Sequence, residues 1–193
     1  MARKLRKDVP GSWHHVMNRG VARRTLFETE HDMRRFLSRV ARIVRAGLLE
    51  IHAFSIMTTH FHMLVRSPCG RLSESLRAIQ ISYVRGFNRE RKRDGPLVRG
   101  RFCSRPVDSI AYRRALVRYI DHNPVSAGLV SDAASYPWGS AFHYGRAGPR
   151  PRWLNRSWIE SVVASAEPYD PNRYQAGFPP LARAPADTAT VNA

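Results

Sequence analysis

The sequence has few cysteines, few acidic residues and no long apolar run. Its two cysteines, Cys69 and Cys103, stand far apart without a CxxC spacing, so they predict neither a disulfide framework nor a zinc site. No apolar stretch approaches the roughly 18 to 20 residues that a membrane-spanning helix needs. The basic N-terminus is not followed by an apolar stretch and does not resemble a signal peptide. These absences favour a cytoplasmic protein that does not interact with membranes.

The scarcity of acidic residues leaves a large positive charge. Lys and Arg number 32 against 15 Asp and Glu, which gives a formal net charge of +17 over 193 residues. Such an excess says little about fold, but it indicates a polyanionic partner, most often nucleic acid.

Hydrophobic periodicity predicts an α+β fold. Helical spacing predicts helices over residues 30–46, 73–93 and 109–122, the last ending before Pro124, with a short fourth helix over 157–165. Apolar runs bounded by turn residues predict strands over 13–18, 51–57, 60–65 and 101–107. The order β-α-β-β-α-β is that of the split βαβ, or ferredoxin-like, plan. We therefore expect an antiparallel sheet with helices on one face, plus a C-terminal helix that bears a tyrosine.

Composition divides the chain into four segments. Residues 1–10 form a basic arm, residues 11–145 the main domain, and residues 146–166 a C-terminal extension. Residues 167–193 are rich in proline and poor in apolar clusters, which predicts a disordered tail.

Two histidines stand one residue apart in the predicted strand over 60–65. Since strand side chains alternate between faces, His60 and His62 share one face, about 6–7 Å apart along the strand. Two neutral imidazoles at that spacing can bind one divalent metal ion. Hydrogen-bonded histidines in a core or at its rim are the alternative, and the motif alone does not decide between them.

The segment Val-Arg-Tyr-Ile-Asp-His-Asn-Pro-Val, residues 117–125, offers two further groups. On a helix Tyr119 and Asn123 share a face, and they supply a nucleophilic hydroxyl and a hard oxygen ligand. Alternatively, Tyr119 belongs to the apolar stripe and Asn123 only ends the helix. Tyr83 is a rival nucleophile and His122 a further candidate ligand, on a different face from Tyr119.

A run of basic residues lies between these two motifs. Such a run is often only a solvated face, but in so basic a chain we interpret it as a phosphate-binding surface. It consists of Arg85, Arg89, Arg91, Lys92, Arg93, Arg99, Arg101 and Arg105.

Together these motifs resemble the single-tyrosine HUH transposases, and within them the REP-associated tyrosine transposases. Residues 57–65, Met-Thr-Thr-His-Phe-His-Met-Leu-Val, resemble the His-hydrophobic-His strand of that family, and residues 119–130 its tyrosine helix and exit. Three shorter matches are His15-Val16-Met17-Asn18-Arg19-Gly20, Gly100-Arg101-Phe102 and Tyr136-Pro137-Trp138-Gly139-Ser140. The resemblance covers about residues 11–145.

The resemblance implies an enzyme that nicks and joins single-stranded DNA near hairpins through a 5′-phosphotyrosine. It implies that His60, His62 and Asn123 bind Mg²⁺ or Mn²⁺ and that Tyr119, rather than Tyr83, is the nucleophile. It also implies that Asn18 and Arg19 contact DNA, together with the basic run. It also implies a bacterial, nucleoid-associated protein. Family members differ in oligomeric state, so a monomer and a homodimer both stay open.

Other functions remain as alternatives. A non-catalytic nucleic-acid-binding protein could have the same fold, although all four expected site residues are present. A two-histidine phosphoesterase would require two His-x-Thr/Ser motifs, and the sequence has none.

Overall fold

The computed structural model describes residues 7–145, 150–163 and 174. The predicted basic arm is therefore described only from residue 7, and the extension only over residues 150–163. Of the tail predicted to be disordered, Tyr174 alone lies within the described residues, and it is 1% exposed and stacked on Tyr144 at 5.1 Å between ring centroids.

Four strands form one antiparallel sheet in the order β2-β3-β1-β4. The strands are β1 (Ser12–Arg19), β2 (Glu50–Met57), β3 (His60–Ser67) and β4 (Cys103–Pro106). The two central strands, β1 and β3, pair along their whole length. This strand order is that of the split βαβ plan, and the prediction of an α+β fold with an antiparallel sheet is confirmed.

Two helices cover one face of the sheet. They are α1 (Glu30–Arg45), which begins at a capping box between Thr29 and Asp32, and α2 (Leu72–Glu90). Phe36 of α1 packs against Phe61 of β3 and Tyr83 of α2, with ring centroids 4.8 and 5.5 Å apart. No helix in the described ranges is both long and apolar enough to cross a membrane.

The helix predicted to end near Arg93 stops earlier, at Glu90. Arg91 is its C-cap, and Lys92 follows with a φ of +49°, in the left-handed region that ends a helix. The basic run therefore divides between the last turn of α2 and the loop that follows it.

The helix α3 (Ile110–Ser126) lies on the opposite face of the sheet and continues through Pro124, so the prediction that it ends before this residue is wrong. A proline inside a helix lacks the N–H that would bond to the carbonyl four residues earlier, here that of Ile120. The Asn123 side chain compensates, because its Nδ2 donates to the Tyr119 carbonyl at 2.8 Å and approaches that of Ile120 at 3.5 Å.

The chain after α3 covers the outer edge of β2. It includes the short helices α4 (Ser140–Tyr144) and α5 (Ser157–Val163); residues 164–165 of the predicted fourth helix lie outside the described residues. Backbone N–H groups of β2 donate to this segment, from Ile56 to the Trp138 carbonyl at 2.9 Å and from Phe54 to Ser140 Oγ at 2.9 Å. An edge strand covered in this way cannot pair with another chain.

Candidate active site

His60 and His62 lie on the sheet face that α3 covers. Their ring centroids are 5.2 Å apart, whereas Phe61, between them, points into the core beneath α1 and α2. Both predictions from strand alternation are therefore correct: the histidines share a face, and the intervening residue packs on the other side.

Both imidazoles are held neutral near pH 7. Burial, assisted by the charge of Arg19, lowers the pKa of His60, although a hydrogen bond to Asn123 opposes this shift. Burial lowers the pKa of His62 well below its usual value, and His15 and His60 add to the effect. Neutral imidazoles retain the lone pair that a metal ion requires.

A third histidine, for which the sequence predicted no role, orients His62. His15 of β1 lies on the same sheet face, and its Nε2 is 2.9 Å from Nδ1 of His62. Burial and the nearby Arg105 lower the pKa of His15 to about 4. Because that contact occupies Nδ1 of His62, Nε2 is the ring nitrogen that could bind a metal ion. His60 is similar, since its Nδ1 is 3.0 Å from the Thr59 hydroxyl.

Tyr119 and Asn123 come from one face of α3 and meet the histidines. The ring of half-buried Tyr119 lies edge-on to His62 and His15, with centroids 5.5 and 6.0 Å away. Asn123 hydrogen-bonds to His60, while its amide nitrogen is held by the backbone of its own helix. The arrangement therefore brings together the four residues that the sequence singled out.

These residues fit a divalent cation. They offer two neutral imidazole nitrogens and one amide oxygen, a donor set suited to Mn²⁺ and acceptable to Mg²⁺ with added water. No group of three or more His, Cys, Asp and Glu residues that could hold a metal occurs within the described ranges.

The alternative candidates lie elsewhere. Tyr83 is 1% exposed in the core, and its hydroxyl donates to the Leu26 carbonyl at 2.6 Å. Burial raises the pKa of Tyr83 well above its usual value, which makes it a poor nucleophile. His122 interacts electrostatically with Arg118 and Asp132 rather than with His60 or His62.

Three arginines surround the end of β1. Burial, together with the charges of Arg99 and Arg23, lowers the pKa of the Arg19 guanidinium, and Arg19 in turn acts on His60. The Arg99 backbone N–H donates to the Arg19 carbonyl at 2.9 Å, which fixes the two segments together. Crowded guanidinium groups beside the histidines favour a bound anion such as a phosphate.

The remaining predicted DNA contacts occupy varied positions. Arg91 pairs with Glu28 and Asp32 at 2.5 Å and lies over the Phe87 ring, so it ties α2 to the start of α1. Asn18 is 7% exposed and bonded within the protein. Those on or near the surface are Arg85, Arg89, Lys92, Arg93, Arg101 and Arg105.

A buried carboxylate that sequence reasoning missed anchors the tyrosine helix. Asp121, 1% exposed, accepts from the hydroxyls of Ser140 and Tyr174 at 2.6 Å each and from the Ala141 N–H at 3.1 Å. Burial raises its pKa to about 6, against the opposing effect of these hydrogen bonds. The available sequence signal was the helical spacing, because Asp121 lies four residues after the apolar Val117 and so shares its face of the helix.

Known proteins resemble this chain in sequence and in fold. The family described as transposase IS200 like matches residues 8–123. No curated protein matches the chain. A REP-associated tyrosine transposase bound to a REP hairpin has 21% identity and a TM-score of 0.63, over 81% of this chain and 98% of that one. A protein from Deinococcus radiodurans R1 assigned as a transposase has 18% identity and a TM-score of 0.43, over 63% and 97%.

The family match covers more than half of the 193 residues and includes His60, His62, Tyr119 and Asn123. The likeness to the REP-associated enzyme supports the fold. The family generally depends on a divalent metal. The chain belongs to the IS200-like transposase family, whose members are tyrosine transposases that cleave and join DNA.

Proposed function

We propose that the protein is a metal-dependent endonuclease and strand transferase for single-stranded DNA. It cleaves beside hairpins of the REP type and forms a 5′-phosphotyrosine at Tyr119. The observation that best supports this is the edge-on packing of the Tyr119 ring against His62 and His15, with Asn123 bonded to His60. All these side chains belong to one chain and come together within it.

The reaction consists of two transesterifications. The Tyr119 oxygen attacks the scissile phosphorus as it loses its proton, and the bond from phosphorus to the 3′ oxygen breaks. The 3′ oxygen takes up a proton and leaves as a hydroxyl, while the 5′ phosphate stays on Tyr119. A second 3′-hydroxyl then attacks the same phosphorus and releases Tyr119. No nucleotide cofactor is needed, since one phosphodiester bond replaces another.

The protein's contribution is positioning and charge. His60, His62 and Asn123 would hold the divalent ion, which polarises the scissile phosphate and neutralises charge that develops on it. His15 fixes the ring of His62, and the hydrogen bond from Asn123 to its own helix fixes the amide beside His60. Tyr119 packs edge-on against the paired rings of His15 and His62, which holds it beside the place where the scissile phosphate would bind.

A basic surface guides the strand to the site. Arg19 and Arg99 would bind phosphates at the end of β1, and Arg105 is close enough to His15 to affect its pKa. Arg85, Arg89 and Arg101 extend the positive surface toward α2, with Lys92 and Arg93 beyond its last turn. Arg91 pairs instead with Glu28 and Asp32, so this surface does not include it.

The covalent intermediate is the direct test. Single-stranded oligonucleotides that contain a REP-type hairpin and a flank are labelled at the 3′ end and incubated with the protein and Mn²⁺ or Mg²⁺. We expect a labelled protein band on a denaturing gel, because the 5′-phosphotyrosine retains the downstream fragment. A 5′ label should instead be released on a fragment that ends in a 3′-hydroxyl, and EDTA should abolish both products.

If hairpin oligonucleotides bind but no adduct forms with either metal, the protein is a non-catalytic DNA-binding protein on the same fold. If the 5′-labelled fragment becomes attached instead, the polarity of the proposed cleavage is wrong.

Salt dependence tests the phosphate contacts at the end of β1. We expect Arg99→Ala to weaken single-stranded DNA binding and to reduce the slope of log K against log salt by about 0.7, the value for one lost phosphate contact. Fluorescence anisotropy between about 50 and 300 mM salt measures this slope. Arg34→Ala is the matched control, since Arg34 pairs with Glu30 on the exposed side of α1 and should leave the slope unchanged. Equal slopes for the two variants would remove Arg99 from the DNA surface.

A further inference from the structure

A cleft separate from the histidine and tyrosine site lies between α2 and the segment over residues 97–102. Its volume is about 820 Å³. Apolar side chains line much of it, and three arginines border it. The apolar residues are Ile81, Val84, Val98 and Phe102, and the arginines are Arg77, Arg85 and Arg101. Ile81 is 37% exposed, so this apolar side chain of the cleft is open to solvent.

Gln80, which also lines the cleft, has a fixed orientation. The Arg19 backbone N–H donates to Asn18 Oδ1 at 2.8 Å, so the other end of the Asn18 amide is the donor. That nitrogen donates to the Gly100 carbonyl at 3.1 Å and to Gln80 Oε1 at 3.3 Å. The Gln80 oxygen is therefore occupied, and its nitrogen is turned away from Asn18.

The amide nitrogen of Gln80 lacks a hydrogen-bond partner among the described residues, although the side chain is 8% exposed. An unpaired donor in such a position is costly, and in native proteins it usually indicates a ligand, an ion or water at that place. The unsatisfied group can only donate, so its partner must present an acceptor. A nucleobase meets both requirements, because it carries an acceptor and its flat face can lie against Ile81, Val84 and Phe102.

We propose that this cleft binds one base of the single-stranded DNA substrate, with Gln80 donating to a carbonyl oxygen of that base. The inference rests on the proposed function for the identity of the strand. The base lies against the apolar residues, while Arg77, Arg85 and Arg101 contact the flanking phosphates. Asn18 acts as a positioning residue, since it holds the Gln80 amide in the donating orientation.

The position of the cleft suits a strand that also passes through the catalytic site. One wall is the segment over residues 97–100, which bonds to the end of β1 through Gly20 and Val98 and through Arg19 and Arg99. Arg19 lies near enough to His60 to affect its pKa. The cleft lies on the α2 side of the sheet, so a strand that leaves the histidines would pass Arg19 and Arg99 and round the end of β1 to reach it.

Abasic substitution along the flank of the hairpin oligonucleotide tests the proposal. Binding is measured by anisotropy in EDTA, so that it does not depend on cleavage. For the wild-type protein we expect one abasic position to weaken binding about tenfold, and neighbouring positions to have much smaller effects. Gln80→Glu keeps an acceptor for Asn18 but replaces the donor. It should weaken binding of the intact strand about as much as the abasic substitution weakens binding to the wild-type protein.

The coupling between protein and base distinguishes this role from a structural one. In the Gln80→Glu variant, the abasic substitution that weakens wild-type binding should cause little further loss of affinity, because the contact between residue 80 and the base is already lost. Ile81→Trp is a second variant, at a partly exposed position where we expect the fold to persist. The larger side chain should block the cleft, so the same abasic position should again add little to the loss of binding. A flat abasic profile, or equal losses at every position in both variants, would overturn the proposal. Failure to form a covalent adduct would instead count against the proposed catalytic function and leave these binding results standing.

Discussion

Tyr119→Phe is expected to reduce adduct formation and strand cleavage by about a thousandfold or more, because it removes the attacking oxygen. The phenylalanine ring can still pack against His15 and His62, so the fold and DNA binding should persist. Single-turnover cleavage of a 3′-labelled hairpin oligonucleotide measures the loss. Thermal unfolding and anisotropy on the same preparation should match the wild type, with a melting temperature within about 2 °C.

Tyr83→Phe is the matched control for this variant. It removes the hydroxyl that donates to the Leu26 carbonyl at 2.6 Å in the core. We expect it to lower the free energy of unfolding by about 1–2 kcal/mol, the cost of leaving that carbonyl unpaired. Adduct formation should continue at temperatures where the variant is folded. The reverse result, with an active Tyr119→Phe and an inactive Tyr83→Phe, would identify Tyr83 of α2 as the nucleophile.

The parts of the site that the sequence predicted depend on short-range geometry. Strand alternation alone places His60 and His62 on one face and Phe61 on the other. Helical spacing alone places Tyr119 and Asn123 on one face of a helix. That these two faces meet is not a local property. The resemblance to a family supplied this expectation, and the packing of α3 on the sheet explains it.

The parts that were missed depend on contacts between distant segments. The role of His15 follows from the pairing of β1 with β3, whose register no local pattern reveals. Arg91 belongs to a run of basic residues, yet its partners Glu28 and Asp32 lie about sixty positions earlier in the chain. The end of α3 was misjudged because Asn123 stabilises the helix at the point where Pro124 would interrupt it.

Asp121→Ala is expected to have the largest effect on stability. The substitution leaves the Ser140 and Tyr174 hydroxyls and the Ala141 N–H without their acceptor in a buried site. Such losses cost about 1–3 kcal/mol for each buried group, so we expect a decrease of about 3–5 kcal/mol in the free energy of unfolding, measured in urea. Because Asp121 lies between Tyr119 and Asn123 on α3, loosening this anchor should also displace the tyrosine and slow cleavage about tenfold at temperatures where the variant is folded.

Two milder variants separate the anchor from general destabilisation. Tyr174→Phe removes only one of the three donors and should cost about 1 kcal/mol with little change in cleavage. Asp121→Asn keeps an oxygen for Ser140 and Ala141, and it should retain more stability and more activity than Asp121→Ala. If all three variants slowed cleavage equally despite their different stabilities, the carboxylate would act on the reaction in some way other than by holding the helix. If none slowed cleavage, α3 would be positioned by its apolar contacts with the sheet alone, through buried residues such as Leu116 and Ile120.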